Sequence, residues 1–124
     1  MQIYTLYVRS ILEFNCCVWH YNITLEERND IERVQKVACK IMLKKDYTSY
    51  AQALKKLGLQ TLDDRRHKLC EKFAKNCVKG PLQVSEMFPR DLTRHSNKYQ
   101  VTFARNERLL QSAIPQMQRL LNRS

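Results

Sequence analysis

Glycine and proline are scarce in this chain of 124 residues, which contains 2 glycines and 3 prolines. This scarcity excludes a loop-rich chain, a collagen-like repeat and a proline-rich disordered segment. Hydrophobic residues make up 44% of the chain and charged residues 27%, a composition typical of a folded domain. The length suits one small domain, so we expect a single helical domain over residues 1–124, with a helical core over 1–81.

The chain also lacks a regular cysteine pattern and a long apolar run. Its 5 cysteines are odd in number and irregularly spaced, unlike the disulfide framework of a secreted domain. The apolar N-terminal stretch is interrupted by Arg9, Ser10 and Glu13 before it reaches the length of a membrane span or signal peptide. These features predict a cytoplasmic or nuclear protein with no membrane partner.

Acidic residues are few, at 12 against 22 lysines and arginines, and the formal net charge is +10. Residues 1–35 carry a net charge of −2, residues 36–79 carry +8, and residues 80–124 carry +4. The positive charge is therefore concentrated in the middle of the chain. An excess of this size indicates an acidic partner such as nucleic acid.

Apolar spacing predicts two long helices in the first third of the chain. The first covers about residues 2–20, and we expect its apolar side to face the core: Tyr4, Tyr7, Val8, Ile11, Phe14, Val18 and Trp19. The second opens at Thr24 with Glu27 three positions later, a capping box, and runs to about Lys45. Its predicted buried stripe is Ile31, Val34, Ala38, Ile41 and Met42.

Two further helices follow, and the tail is less regular. Ser49 caps a short helix that Gly58 ends, and Thr61 with Asp64 opens a helix that ends at Gly80-Pro81. The predicted core side of this fourth helix is Leu62, Leu69, Phe73 and Cys77. In the tail we expect a loop, an extended stretch at 99–103 and a terminal helix with Ser112 as its cap and four inward residues: Ile114, Met117, Leu120 and Leu121. The predicted fold class is all-α, a small bundle of about four to five helices with an irregular or short extended segment near 82–111.

Paired aspartates and a histidine are the first candidates for chemistry. Asp63 and Asp64 invite comparison with the carboxylates that hold Mg²⁺ in polymerases, but they open a helix, where acids complement the positive helix N-terminus. His67 lies between basic residues, and the sequence places no carboxylate or nucleophile to work with it. We therefore predict no catalytic residue and no enzyme activity.

The cysteines are the second candidates. Cys16, Cys17 and His20 have ligand chemistry, but no second pair follows at zinc-ligand spacing. Cys70 and Cys77 lie two helical turns apart on the predicted inner side, where core thiols are expected. The sequence predicts no metal site and no cofactor.

Two basic helix faces carry the strongest signal. Five residues of the fourth helix share an arc of about 80° over about 20 Å: Arg65, Lys68, Lys72, Lys75 and Lys79. Arg66 beside them is a further candidate. The second helix has a similar row: Arg33, Lys36, Lys40 and Lys44. Such rows either contact phosphates, releasing counterions, or form a solvated surface that keeps the chain soluble.

The order of motifs resembles the C-terminal region of reverse transcriptases from jockey-like non-LTR retrotransposons. The resemblance covers nearly the whole chain and is most specific at Glu32-Arg33-Val34-Gln35-Lys36, the Tyr47 and Tyr50 pair, Arg65-Arg66 with Leu69-Cys70, and Ser112-Ala113-Ile114-Pro115. It implies a helical, thumb-like or connecting segment that follows the palm and touches template and primer. The Tyr-x-Asp-Asp signature of the polymerase is absent from the sequence, so no catalytic residue carries over.

These observations predict a non-catalytic fragment of a longer retroelement product that binds the RNA or DNA backbone without sequence specificity. The polymerase core of a parent protein is a further candidate partner. One alternative is a helical interaction protein whose exposed apolar surface meets another protein or its own copy. A second alternative is a retroelement-derived product with no selected function.

Overall fold

The structure is a computed structural model that describes residues 1–80, 86–90 and 98–123. The chain divides into a first unit, Met1–Cys16 and Ile23–Arg66, and a second unit, Cys17–Asn22 and His67–Ser124. The described residues form helices and no strand, which confirms the predicted all-α fold. No helix in this part of the chain is long and apolar enough to cross a membrane.

The N-terminal segment consists of short helical pieces, so the prediction of one helix over residues 2–20 is wrong. A π-helical turn (Tyr4–Val8) leads into α1 (Arg9–Glu13), and α2 (Cys16–Trp19) follows after a break. The break lies at Asn15, whose φ of 49° is outside the right-handed helical region. Asparagine tolerates this backbone conformation better than most residues, so the chain can change direction here.

The predicted inward side of this segment is partly wrong, although Val8 and Trp19 are partly buried as expected. Tyr4 is buried, but four of the predicted inward residues are 62–74% exposed: Tyr7, Ile11, Phe14 and Val18. The Glu13 carboxylate turns inward instead and accepts a hydrogen bond from Arg65 in the first unit. Apolar residues lie on nearly every side of this segment, so their spacing cannot select the buried side.

Helix α3 spans Leu25–Leu43, and its predicted start is confirmed. The Thr24 hydroxyl accepts the Glu27 N–H at 3.2 Å, and the Glu27 carboxylate accepts the Thr24 N–H at 2.7 Å. This reciprocal pair satisfies two backbone donors that have no partner within the helix. A 3₁₀ turn, Lys44–Asp46, follows directly.

The buried side of α3 is polar at its centre, so the predicted stripe is partly wrong. Gln35 and Cys39 are buried, whereas Val34 is 42% exposed and Ile41 is 67% exposed. The remaining predicted residues are partly buried: Ile31, Ala38 and Met42. The buried side is rotated by roughly one residue, about 100° around the helix, because Gln35 bonds to groups on other elements.

Helix α4 spans Tyr50–Leu57, and both of its predicted ends are confirmed. The Ser49 hydroxyl accepts the Gln52 N–H at 3.4 Å. Gly58 follows the helix with a φ of 65°, a left-handed conformation that side chains with a Cβ rarely adopt. Ser49 and Gly58 thereby fix the start and the end of α4 through local backbone contacts.

Helix α5 spans Leu62–Lys79, and the predicted start at Thr61 is confirmed by the hydroxyl of Thr61, which accepts the Asp64 N–H at 3.3 Å. The helix contributes its first residues, through Arg66, to the first unit and the rest to the second. Its buried side repeats every fourth residue: Leu62, Arg66, Cys70 and Ala74. Phe73, predicted to lie in the core, is 48% exposed, while Leu69 and Cys77 are partly buried. The buried residues recur every four positions, and Phe73, one position before Ala74, lies at the side of this row and stays partly exposed.

The second unit has an apolar core in which α7 (Ala113–Arg123) packs. The core centres on Ala74, Phe88 and Met117. The predicted inward side of the terminal helix is confirmed, with Met117 and Leu120 buried and the other two residues partly buried. A short helix that the sequence did not predict, α6 (Glu107–Leu110), precedes α7, and the Asn106 side chain caps it.

The predicted extended stretch at 99–103 forms no strand in the described part of the chain. Tyr99 makes a single antiparallel bridge with Arg90, and the Gln100 N–H donates to the Pro89 carbonyl at 2.7 Å. The Asn122 side chain bonds to both backbone groups of Tyr99: it accepts the Tyr99 N–H at 2.6 Å and donates to the Tyr99 carbonyl at 2.9 Å. A side-chain amide thus takes the place of a neighbouring strand. Pro81 and the rest of the predicted irregular segment, at 81–85 and 91–97, lie outside the described residues.

Candidate nucleic-acid interface

A row of exposed lysines runs along α5 within the second unit: Lys68, Lys72, Lys75 and Lys79. Steps of three and four residues keep the row on one side of the helix, away from the buried Cys70 and Ala74. From first to last the row is about 16 Å long at the α-helical rise. Among the described residues, no ion pair involves the last three of these lysines. Their charge is therefore not neutralised by a described neighbour.

The two arginines at the start of α5 face different surroundings. The Arg65 side chain is 36% exposed and donates to Glu13, so it extends the basic row but is already paired. Arg66 is fully buried, with an Nη2 atom 3.5 Å from a carboxylate oxygen of Asp63. Burial lowers the pKa of Arg66, and the nearby Asp63 charge opposes that effect. No phosphate can reach Arg66 in this structure, so we correct its prediction as a nucleic-acid contact.

The basic row on α3 lies within the first unit and is combined with aromatic rings. The Lys36 Nζ atom lies 5.3 Å from the centre of the Tyr50 ring, and the Lys40 Nζ atom lies 5.6 Å from the centre of the Tyr47 ring. Both distances are within the range of cation–π attraction. Lys44 is exposed but lies just past the end of α3 with a φ of 47°, so the helical spacing that predicted it in this row does not apply to it.

Arg33 at the other end of the α3 row is 74% exposed along its side chain and pairs with Asp30 at 3.4 Å. A pair this exposed contributes little stability and is easily replaced by another anion. The sequence located the four basic residues but not the two tyrosines, which lie beyond the end of α3. Their signals were a place in the resembled motif and an aromatic residue repeated after three positions, and neither shows which helix the rings contact.

A buried polar network holds α3 against the neighbouring elements of the first unit. The Gln35 side chain accepts a hydrogen bond from the Tyr4 hydroxyl at 2.6 Å. Its amide nitrogen donates at 2.9 Å both to the Tyr50 hydroxyl and to the Gln60 carbonyl. The Tyr50 hydroxyl in turn donates to Glu32. Each of these groups has a partner, so the network specifies one arrangement of the helices.

Burial raises the pKa of Tyr4 to about 12, and nearby Cys39 adds to the rise. Burial and the hydrogen bond to Glu32 also raise the pKa of Tyr50. Both phenols therefore remain protonated donors at neutral pH. The Glu32 carboxylate also accepts the Leu62 N–H at 3.1 Å, which caps the start of α5 from another helix.

The paired aspartates are engaged at the start of α5. Asp64 accepts the Thr61 hydroxyl at 2.7 Å, and Asp63 lies 3.4 Å from Arg28. Acids at these positions complement the helix N-terminus, as the sequence analysis proposed. The two carboxylates thus have structural partners within the first unit.

His67 has a tyrosine and a carboxylate among its neighbours, although its sequence context predicted no carboxylate beside it. Its Nδ1 atom lies 2.7 Å from the Tyr21 hydroxyl, and its Nε2 atom lies 3.7 Å from a carboxylate oxygen of Glu71. The His20 ring packs against the edge of Tyr21, with ring centres 4.7 Å apart. These residues all belong to the second unit.

The thiols considered from the sequence are mostly enclosed. Cys16 and Cys70 are buried, and Cys17 is partly buried. Burial raises the pKa of the Cys77 thiol, which keeps it protonated. A buried, protonated thiol is a poor nucleophile. Cys70 and Cys77 are therefore suited to packing.

No protein-family model, curated protein or solved structure matches this chain.

Proposed function

We propose that this chain binds the sugar–phosphate backbone of RNA or DNA without sequence specificity. The observation that carries the proposal is the lysine row on α5, whose members are exposed and on one side of a continuous helix. The rise of the helix spreads the ammonium groups over a length that spans several phosphates of a nucleic-acid strand. Each lysine that neutralises a phosphate releases a condensed counterion, which favours binding.

The α3 row supports the same function independently within the first unit. Lys36 and Lys40 lie beside tyrosine rings, and Arg33 is exposed on the same helix. Lysines on flexible stems attract phosphates but do not distinguish bases, because base reading needs donors and acceptors held fixed in a groove. Binding is therefore expected to be independent of sequence.

We infer no polymerase chemistry, because the signature that holds catalytic magnesium in the resembled family is absent from the sequence. Purified protein is expected to add no nucleotide to a primed RNA or DNA template with magnesium or manganese. The measurement is incorporation of labelled nucleotide, compared with a boiled control. Template-dependent incorporation would show that this inference is incorrect.

The binding test reverses the charge of the α5 row in the triple variant K68E/K72E/K75E. A matched control, K45E/K55E/K98E, changes the net charge equally at exposed lysines outside both rows. Fluorescence anisotropy with two duplexes of unrelated sequence and one single-stranded RNA, over a salt series, gives affinity and salt dependence. Circular dichroism checks that both variants are folded.

The row variant should lose about tenfold or more in affinity for every nucleic acid, and its salt slope should fall by about 2–3. The control variant should lose much less. Parent-like binding by the row variant, or an equal loss in both variants, contradicts the proposal, because either result shows that the row is only a solvated surface.

A second candidate function is protein–protein interaction, and one observation favours it. The N-terminal segment exposes large apolar residues on its outer side, including Tyr7, Ile11 and Phe14. Contiguous apolar surface of this kind marks interaction sites in folded proteins. Concentration-dependent association without nucleic acid is the observation that would support this candidate.

A further inference from the structure

The outer side of the N-terminal segment is a continuous apolar face, which we call the N-terminal face. Its members are 65–75% exposed: Ile3, Leu6, Tyr7, Ile11 and Phe14. Their spacing of three or four residues keeps them on one side of the helical segment. All five belong to the first unit.

The opposite side of the same segment is apolar as well. Tyr4 is buried there, and Val8 and Leu12 are partly buried. A helix that is apolar on both sides is typically packed on both sides. The inner side already contacts α3 through the Tyr4–Gln35 hydrogen bond, so the N-terminal face is the side that residues 1–80, 86–90 and 98–123 leave uncovered.

We propose that the N-terminal face is covered by a second copy of this chain, in an antiparallel helix pair about a twofold axis at Ser10. This inference specifies the partner in the second candidate function and does not depend on nucleic-acid binding. A twofold interface uses the same surface on both copies, so the face must be compatible with itself.

Charge favours self-association at this face over other surfaces of the chain. The face contains no charged residue, because the side chains of Arg9 and Glu13 are only 18% and 12% exposed. Residues 1–22 carry one arginine and one glutamate, whose formal charges cancel, within a chain of net charge +10. Two copies therefore approach with the least repulsion through their N-terminal segments.

Ser10 allows close approach at the centre of the face. Its hydroxyl donates to the Leu6 carbonyl at 2.6 Å, and the Tyr7 carbonyl lies 3.1 Å away. The hydroxyl is thus satisfied within its own helix and needs no water, so burying it leaves no donor unpaired. A small residue at a helix crossing also lets the two backbones come near each other.

The size of the face suits a small dimer interface. Five large side chains exposed by about two thirds or more present on the order of 600–700 Å² of surface, close to the ~800 Å² per partner of a standard interface. An axis at Ser10 places position 6 of one copy opposite position 14 of the other, because both lie four residues from the axis. Leu6 would then pack against Phe14 of the second copy.

The first test is sedimentation equilibrium of the nuclease-treated full chain without nucleic acid. The parent should dimerise in the micromolar range. Ile11→Glu should weaken dimerisation tenfold or more. The matched control is Ile41→Glu on α3, an isoleucine that is 67% exposed but lies outside the N-terminal face, and it should leave dimerisation unchanged.

The second test distinguishes an antiparallel pair from other arrangements. L6K and F14E should each weaken dimerisation, and the double variant L6K/F14E should recover it, because opposite charges then meet across the axis in both pairs. All of these positions are exposed, so the variants are expected to fold, which circular dichroism checks.

A parent that stays monomeric at every concentration, equal effects of the α3 control and I11E, or no recovery in the double variant would each overturn the proposal. Because nucleic acid is absent from these experiments, a negative result for dimerisation does not bear on the proposal that the chain binds nucleic acid. Conversely, loss of nucleic-acid binding in the lysine variant does not alter the result expected for dimerisation.

Discussion

Tyr4 and Gln35 are 31 positions apart in the chain, and a hydrogen bond of 2.6 Å joins the tyrosine hydroxyl to the glutamine Oε1 atom. Gln35 is fully buried and also donates to the Gln60 carbonyl, so one side chain connects three parts of the first unit. A buried amide with its groups satisfied favours one register of the packed elements over others.

Replacing Gln35 by leucine should destabilise the protein by about 2–3 kcal/mol, because the Tyr4 hydroxyl and the Gln60 carbonyl lose their buried partner. Val34→Ala, at the adjacent and partly exposed position, is the control and should cost less than about 1 kcal/mol. Urea denaturation followed by circular dichroism measures both. A leucine variant as stable as the parent would show that the network does not contribute to stability.

Substitution of Arg66 should lower stability but not nucleic-acid affinity, whereas substitution of Lys72 should lower affinity with little effect on stability. Arg66→Ala should destabilise the protein by about 3 kcal/mol, since it removes a buried side chain beside Asp63, and should leave the nucleic-acid affinity of the folded protein unchanged. Lys72→Ala should change stability by less than about 0.5 kcal/mol and should weaken binding. Denaturation and anisotropy on the same samples test both expectations. Weaker binding by folded Arg66→Ala would contradict the conclusion that buried Arg66 does not contact nucleic acid.

Alkaline pH should destabilise the protein through Tyr4. Its pKa is raised from 10.0 to about 12 in the folded state, so between these values the unfolded chain loses a proton that the folded chain keeps. Stability from this group is present below pH 10 and is lost as pH rises toward 12, with a slope of up to about 1.4 kcal/mol per pH unit. Tyr4→Phe should show a shallower decline in urea midpoints over this interval, and an unchanged slope would contradict the assignment.

The candidate interface was predictable where it depends on one helix. The lysines of α5 occur at steps of three and four, and helical geometry alone places them on a common side. Arg65 and Arg66 differ by about 100° around the axis, so the two cannot both lie at the centre of the basic row. The Asp63 carboxylate lies near Arg66 through the spacing of α5 itself, whereas only the fold brings the Glu13 carboxylate to Arg65.

The sequence by itself determined the start of α3 and both ends of α4, because Thr24, Glu27, Ser49 and Gly58 act within a few residues of the backbone they cap. Only the tertiary structure decided which sides of the helices are buried. The N-terminal segment is apolar on almost every side, and the centre of the buried side of α3 is Gln35, whose partners come from positions 25 and 31 residues away. Burial of a polar side chain is favourable only when such distant partners arrive, and local spacing contains no information about them.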